Sequence, residues 1–361
     1  MRARGSRAVD VAGEFEFFWR MWSFMGSRLS ITPPGDYVLW RDVCSYGYFL
    51  LWPNFWDPRG GTFSRVMNLT GGPARVTISQ GGGTRGGGKS GRGSGHAFGD
   101  VRPGTALACV FDRALTAGEK KEVRGQIARM LRLDEDEAHV AAFHKVDPRW
   151  KKSGRARLFR SPSFFEDVLK TVTSCNVTWP GTLSMNRRLC EVVGEGGGFP
   201  SARVLARQRA SLLRARCRVG YRDARIVELA KLFVAGKKGG VDSEWFEDPA
   251  TSDGAIHRAL IELPGIGPYA AANIMQLLGR YSRLPLDTES VRHGRAVLGF
   301  KGSSAQVMKR VHAHFAPFGG QAFRSYWFEM WVHYEKKAGA AHTWERDTTG
   351  RVFTAANMNK K

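Results

Sequence analysis

The chain has 361 residues, with 55 Lys and Arg against 33 Asp and Glu and a formal net charge of +22. That length supports two or three domains and a sizeable core, and the charge points to a polyanionic partner, of which nucleic acid is the commonest. No apolar run reaches membrane-spanning length, none of the five scattered cysteines forms a CxxC pair that would suggest zinc or an iron–sulfur cluster, and the basic stretch from Met1 to Val11 lacks the apolar core of a secretory signal.

Residues 1–13 are read as a flexible N-terminus. Residues 14–112 are β-rich: Tyr37 to Trp40, Tyr46 to Trp52, Arg65 to Leu69, Arg75 to Ser79 and Leu107 to Phe111 are β-branched or aromatic runs bounded by Gly, Pro or Asn. Between the last two, nine of the fifteen residues from 81 to 95 are Gly, which predicts a disordered insertion in a hairpin loop. Gly83 to Ser90 matches the G-x-x-x-x-G-K-S phosphate-loop pattern. No helix can follow in Gly91-Arg92-Gly93-Ser94-Gly95, so nucleotide binding is not expected there.

From Thr116 the pattern turns helical. Thr116-x-x-Glu119 and Asp134-x-x-Glu137 read as capping boxes, and Ser161-Pro162 as the start of a helix through Cys175. Further helices are predicted at 183–193, 202–214, 221–235, 255–263, 268–280, 290–298, 303–315 and 321–337. Gly236, Gly279 and Gly299 stand where C-terminal caps belong. The fold class is α+β: an antiparallel sheet domain over 14–145, an all-α domain over 146–338 and a basic tail over 339–361.

Within the helical part, Leu263-Pro264-Gly265-Ile266-Gly267-Pro268-Tyr269 reads as a helix, a glycine turn and a second helix. Backbone amides of such a turn, at a helix start, can cradle a phosphate. Asp287 follows eighteen positions after Tyr269 in a loop that opens another helix. It can cap that helix, and it can also act on a sugar beside the gripped phosphate. The histidines form no metal-ligand pattern; His312-x-His314 reads as surface.

The stretch from Ser161 to Gly299 resembles the helix-hairpin-helix DNA glycosylase superfamily, in the branch of 8-oxoguanine glycosylases and 3-methyladenine glycosylase II. Thr173-Ser174-Cys175-Asn176 is similar to the segment whose Asn enters the space left by a flipped nucleotide. Val219-Gly220-Tyr221-Arg222-Asp223-Ala224-Arg225 is similar to the loop that wedges the duplex and contacts the estranged base.

The resemblance implies Asp287 as the catalytic acid, Tyr269, Trp179 and Phe323 as base-pocket residues, and Gly265, Ile266, Gly267, Asn176, Tyr221 and Arg222 as DNA contacts. Trp327 is a weaker pocket candidate that reads better as core. The bifunctional members place a nucleophilic Lys where this chain has Tyr269, and nothing brings Lys231 or Lys301 to that slot. The expectation is therefore a monofunctional N-glycosylase of base excision repair. It would flip a damaged, alkylated purine and hydrolyse its N-glycosidic bond.

The alternatives are an oxidised-purine glycosylase of the 8-oxoguanine type and a non-catalytic hairpin DNA-binding protein. The expected partner is double-stranded DNA carrying a damaged base, bound by a monomer, with no membrane and no metal. The expected cofactors are none beyond a structural monovalent cation at the hairpin. The expected compartment is the nucleus, with an organelle, or the cytoplasm of a bacterium, as alternatives.

Overall fold

The computed structural model describes residues 26–81 and 101–352, with side chains to residue 349. The expectations for residues 1–13, the glycine-rich insertion beyond Gly81 and the end of the basic tail lie outside the described residues.

Five strands form one antiparallel sheet: β1 (Arg28–Ile31), β2 (Phe55–Asp57), β3 (Thr62–Leu69), β4 (Gly72–Gln80) and β5 (Leu107–Phe111), in the order β1-β5-β4-β3-β2. Ile78 faces Cys109 and Phe63 in adjacent rungs. Alternate residues Ala74, Val76 and Ile78 of β4, and Leu107, Cys109 and Phe111 of β5, are buried, which is the two-residue period of a half-buried strand. The glycine-rich segment does connect two hairpin partners, β4 and β5. β1 and β2 were not foreseen.

Two predicted strands are helical instead. Leu39–Val43 is a short helix, because side chains rather than a neighbouring strand take its first amides. Asp42 accepts from Val38 N–H at 3.1 Å and Gln80 accepts from Leu39 N–H at 2.6 Å. Gly47–Leu50 is a 3₁₀ turn, held by Asn54 donating to the Tyr48 carbonyl at 2.7 Å and by Tyr48 Oη on Thr171 Oγ1 at 2.8 Å.

The principal helices are α1 (Ala117–Met130), α2 (Glu137–Val146), α3 (Phe164–Ser174), α4 (Trp179–Val192), α5 (Asp223–Ala235), α6 (Asp253–Ile261), α7 (Pro268–Leu277), α8 (Thr288–Ala296), α9 (Ser304–Phe315) and α10 (Ala322–Ala338). Thr116 and Glu119 form the predicted capping box. Two other starts shift. Asp136 caps α2, while Asp134 pairs with Arg160 at 2.7 Å. Ser163, not Ser161, caps α3. The 202–214 segment is broken into Ala202–Leu205, Ala210–Leu212 and a π turn at Leu213–Cys217, ended by Arg218 at φ 55°.

Three apolar clusters carry the fold. The first joins the sheet face to Ile127, Phe143, Leu277 and the α10 residues Phe323, Phe328 and Trp331. The second packs α3, α5, α6 and α7 around Leu169, Leu229, Leu260 and Ile274. The third packs Val291 of α8 on Val311 and Phe315 of α9 and Tyr326 of α10.

Buried arginines tie the clusters together. Arg132 donates to the carbonyls of Leu158 at 3.0 Å, Gln276 at 2.6 Å and Leu277 at 2.9 Å, and Arg160 reaches Leu277 O at 3.0 Å. Two guanidinium groups thus close the C-terminus of α7, where orphan carbonyls and the helix dipole favour positive charge. Arg132→Met should strand those buried acceptors and cost about 3 kcal/mol. A fall in the urea midpoint with unchanged slope would show it; an unchanged midpoint would contradict the bridging role.

Candidate active site

The hairpin forms as its residues dictate. Ser252 caps α6 by accepting from Ala255 N–H at 3.3 Å. Gly265 sits at φ 78°, a conformation that L side chains resist, and a Cβ there would stand 2.8 Å from Arg225 Cδ. Gly267 is the N-cap of α7 and offers no side-chain cap, with Pro268 in the first turn. The first amides of α7 are therefore left for an external anion. Ile266 points inward and is buried; it anchors the turn.

Asp287 caps α8. Its Oδ1 accepts from the amides of Glu289 at 2.9 Å and Ser290 at 3.1 Å, while Ser290 Oγ accepts from the Asp287 amide at 3.1 Å. Ser290 Oγ is in turn 2.7 Å from Tyr326 Oη. Burial pushes the Asp287 carboxyl above the ordinary aspartate range, against the Ser290 amide and hydrogen bonding from Tyr269, which favour the ion. Tyr269 is pushed far up, first by burial and then by the Asp287 charge, so its hydroxyl stays protonated.

Two cavities meet at this pair. A cleft of about 1450 Å³ is lined by Gly265, Gly267, Tyr269, Asp287 and Asn176, and also by Arg292, Arg295 and Lys337. A narrower pocket of about 400 Å³ is walled by Tyr46, Tyr48, Trp179, Tyr269, Trp327 and Tyr334. Asp287, Tyr269, Ser174 and Val177 line both. The site lies at the seam of the three clusters, where a backbone cradle, a carboxylate and an aromatic pocket adjoin. Among the described residues, no cluster of three or more His, Cys, Asp or Glu is placed to hold a metal ion, and no helix is long and apolar enough to cross a membrane.

The individual expectations fare differently. Asn176 is exposed at φ 51° on the cleft wall. Tyr221 is 53% exposed, with the guanidinium of Arg222 4.5 Å and that of Arg225 5.5 Å from its ring centre. Trp179 lines the pocket and lies against Gly47, where a Cβ would come 3.3 Å from its ring.

Arg222 is a correction: it is only 6% exposed and does not present its guanidinium to solvent. It donates to the carbonyls of Val172 at 3.0 Å, Val219 at 3.4 Å, Cys175 and Asn176. Its role is to hold the end of α3 and with it the Asn176 turn.

Phe323 is a second correction. It is fully buried in the sheet-side core, one helical turn behind Trp327, whose ring stacks on it at 6.0 Å and 11°. Trp327, anchored by Nε1 on Ser45 O at 2.8 Å, reaches the pocket, as do Tyr326, Trp331 and Tyr334 of the same helix.

Tyr46, Tyr48, Glu289, Arg292 and Tyr334 were missed. The aromatic run at Tyr46 to Trp52 was the available signal, but it reads as a strand. Neither Lys231 nor Lys301 lines either cavity, whereas Lys337 lines the cleft.

No family model and no curated protein sequence matches the chain. In structure it is similar to the 3-methyladenine DNA glycosylase from Archaeoglobus fulgidus, at 18% identity and a TM-score of 0.57, over 87% of this chain and 100% of that one. It is also similar to MBOgg1, solved with a low-affinity DNA ligand, at 14% identity and 0.56, over 84% and 96%. The apo 8-oxoguanine glycosylase/lyase from Clostridium acetobutylicum aligns at 17% identity and 0.55, over 85% and 98%. The chain has the helix-hairpin-helix DNA glycosylase fold. Identities this low carry the fold and leave the chemistry to the residues.

Two stability measurements check the site. Arg222→Ala should lower the melting temperature by several degrees by orphaning buried carbonyls, whereas Tyr221→Ala should leave it unchanged. Equal effects would refute the assignment of one to support and the other to the surface. Because the folded pKa of Asp287 is raised, its ionisation destabilises the fold as pH rises above about 3.9. Asp287→Asn, which still caps a helix, should therefore melt higher than the parent at neutral pH and lose that gain below about pH 3.9.

Proposed function

We propose that this protein is a monofunctional DNA N-glycosylase acting on a damaged, alkylated purine in duplex DNA. The observation that carries the reading is the position of Asp287, on the shared wall between the cleft with the hairpin amides and the aromatic pocket.

The amides of the Gly265–Gly267 turn and the start of α7 would grip a phosphate of the strand, and the basic wall of Arg292, Arg295 and Lys337 would accompany it. Asn176 on the cleft wall and the exposed Tyr221 would occupy the space a flipped nucleotide leaves. The 400 Å³ pocket is within the usual range for small-ligand sites, and its rings suit the faces of a purine.

In the chemical step the C1′–N9 bond breaks and its electron pair leaves with the base. The Asp287 carboxylate faces the developing oxocarbenium ion and stabilises it. A water then bonds to C1′ and gives its proton to the same carboxylate. An alkylated purine carries a positive charge and departs without prior protonation, so one acid suffices.

The aromatic residue at position 269 supports hydrolysis over a lyase route. Tyrosine has no amine to join C1′, and its hydroxyl is held protonated. Burial of Phe323 removes that ring from the pocket and so weakens the case for an oxidised purine, whose glycosylases sandwich the base at the stretch that Gly319 to Phe323 resembles.

Duplexes with methylated, deaminated or oxidised bases, treated with hot alkali after incubation, test the reading. The methylated purines should be excised, and Asp287→Asn should lower excision about 10³-fold while salt-sensitive duplex binding persists. Loss of activity on the acid side should begin above the ordinary aspartate range, because burial raises the Asp287 pKa. Excision by Asp287→Asn at the parental rate would end the proposal. Borohydride should trap no adduct on abasic DNA; a trapped adduct that Lys337→Ala removes would overturn the monofunctional assignment.

A further inference from the structure

The base pocket holds a second carboxylate that the proposed hydrolysis leaves unused. Glu289 stands in the first turn of α8, two residues beyond Asp287, and shares the pocket wall with Tyr46, Tyr48, Tyr269 and Trp327. It is held from two directions. Arg292 Nη1 lies 2.8 Å from both of its oxygens, and Tyr334 Oη donates to Oε2 at 3.1 Å. About a third of the side chain, 34%, stays accessible, and a carboxylate has more acceptor positions than these two partners fill. Burial raises its pKa, Arg292 opposes that, and the charge of Asp287 adds to it. With Arg292, which lines the same pocket, the aromatic enclosure holds two acids and one base, an excess of one negative charge that a cationic guest would balance.

We propose that Glu289 makes this pocket selective for purines bearing a formal positive charge, the class produced by alkylation of a ring nitrogen. The inference rests on the flipped-base reading of the pocket and adds the residue that would decide its substrate class. The rings of Tyr46, Tyr269 and Trp327 would take the faces of the guest, and an anion at the edge would take its charge. Alkylation spreads a positive charge over the purine, which strengthens cation–π contact with the rings and sharpens its exocyclic N–H donors toward a carboxylate. A neutral purine would desolvate Glu289 without that return. The competing account is that Glu289 only bridges α8 to α10 through Tyr334. That role would affect every guest equally.

Quenching of protein tryptophan fluorescence separates the two, since Trp179, Trp327 and Trp331 line the pocket. The probes are 1-methyladenosine, a cation at neutral pH, and neutral adenosine. The parent should bind the cation more tightly, and Glu289→Gln, which keeps shape and hydrogen bonding but not charge, should shrink that preference about tenfold. Glu289→Asp should retain part of it. The melting temperature of each variant is measured alongside.

Equal weakening of both nucleosides in Glu289→Gln would overturn the proposal, as would a parent with no preference for the cation. A protein that prefers the cation yet excises no base would lose the glycosylase reading and keep this one.

Discussion

A carboxylate withdrawn from water must be kept ionised by something other than solvent, and Asp287 relies on the start of α8. Two backbone amides and the positive end of the helix dipole act on one oxygen, while burial works against the charge. The position of α8 therefore decides whether the site exists. That position is set by close packing on α9: a Cβ at Gly294 would meet Val307 at 2.7 Å and Val311 at 2.8 Å, so only glycine allows the approach. Ser290, bonded to both Asp287 and Tyr326 of α10, locks the cap to the third apolar cluster.

The charge of the chain divides into two populations with different work. Arg132, Arg160 and Arg222 are buried and spent on backbone carbonyls, where they close helix ends and hold turns. Arg65 is buried as well, paired with Glu166 at 2.9 Å beside Lys170. Arg295 and Lys337 instead line the cleft, where a polyanion could reach them, and Arg292 lines it while paired with Glu289. A net charge of +22 thus overstates the positive surface, and it cannot say which arginine meets a ligand. Arg222 shows the consequence: adjacent to the exposed Tyr221, it is nonetheless a scaffold residue.

The pocket draws its walls from distant parts of the chain. Tyr46 and Tyr48 come from the sheet side, Trp179 from α4, Tyr269 from α7 and Trp327 from α10. Three of these rings have a structural tie: Tyr46 to Asn273, Tyr48 to Thr171 and Trp327 to the Ser45 carbonyl. Such ties hold those rings in fixed orientations, a form of preorganisation. The segment between β1 and β2 is therefore part of the site.

Features encoded over a few residues were legible in the amino-acid order. The Pro264-Gly265-Ile266-Gly267 turn, the helix it opens, the Thr116–Glu119 cap and Asp287 before a helix all follow from backbone geometry and local hydrogen bonding, which neighbours in sequence control. The aromatic run around Tyr46 carried the right residues but the wrong element, because Asn54 and Thr171 hold it and neither is visible in the run itself. Phe323 and Trp327 share one face of α10, so periodicity could not tell which would fill the core and which would reach the cavity; depth on that face depends on what packs opposite. The sequence by itself determined a basic α+β chain with a glycine hairpin and a downstream acid. Only the tertiary structure decided that Arg222 supports, that Trp327 replaces Phe323 and that Glu289 joins the pocket, because burial is set by residues far away in the chain.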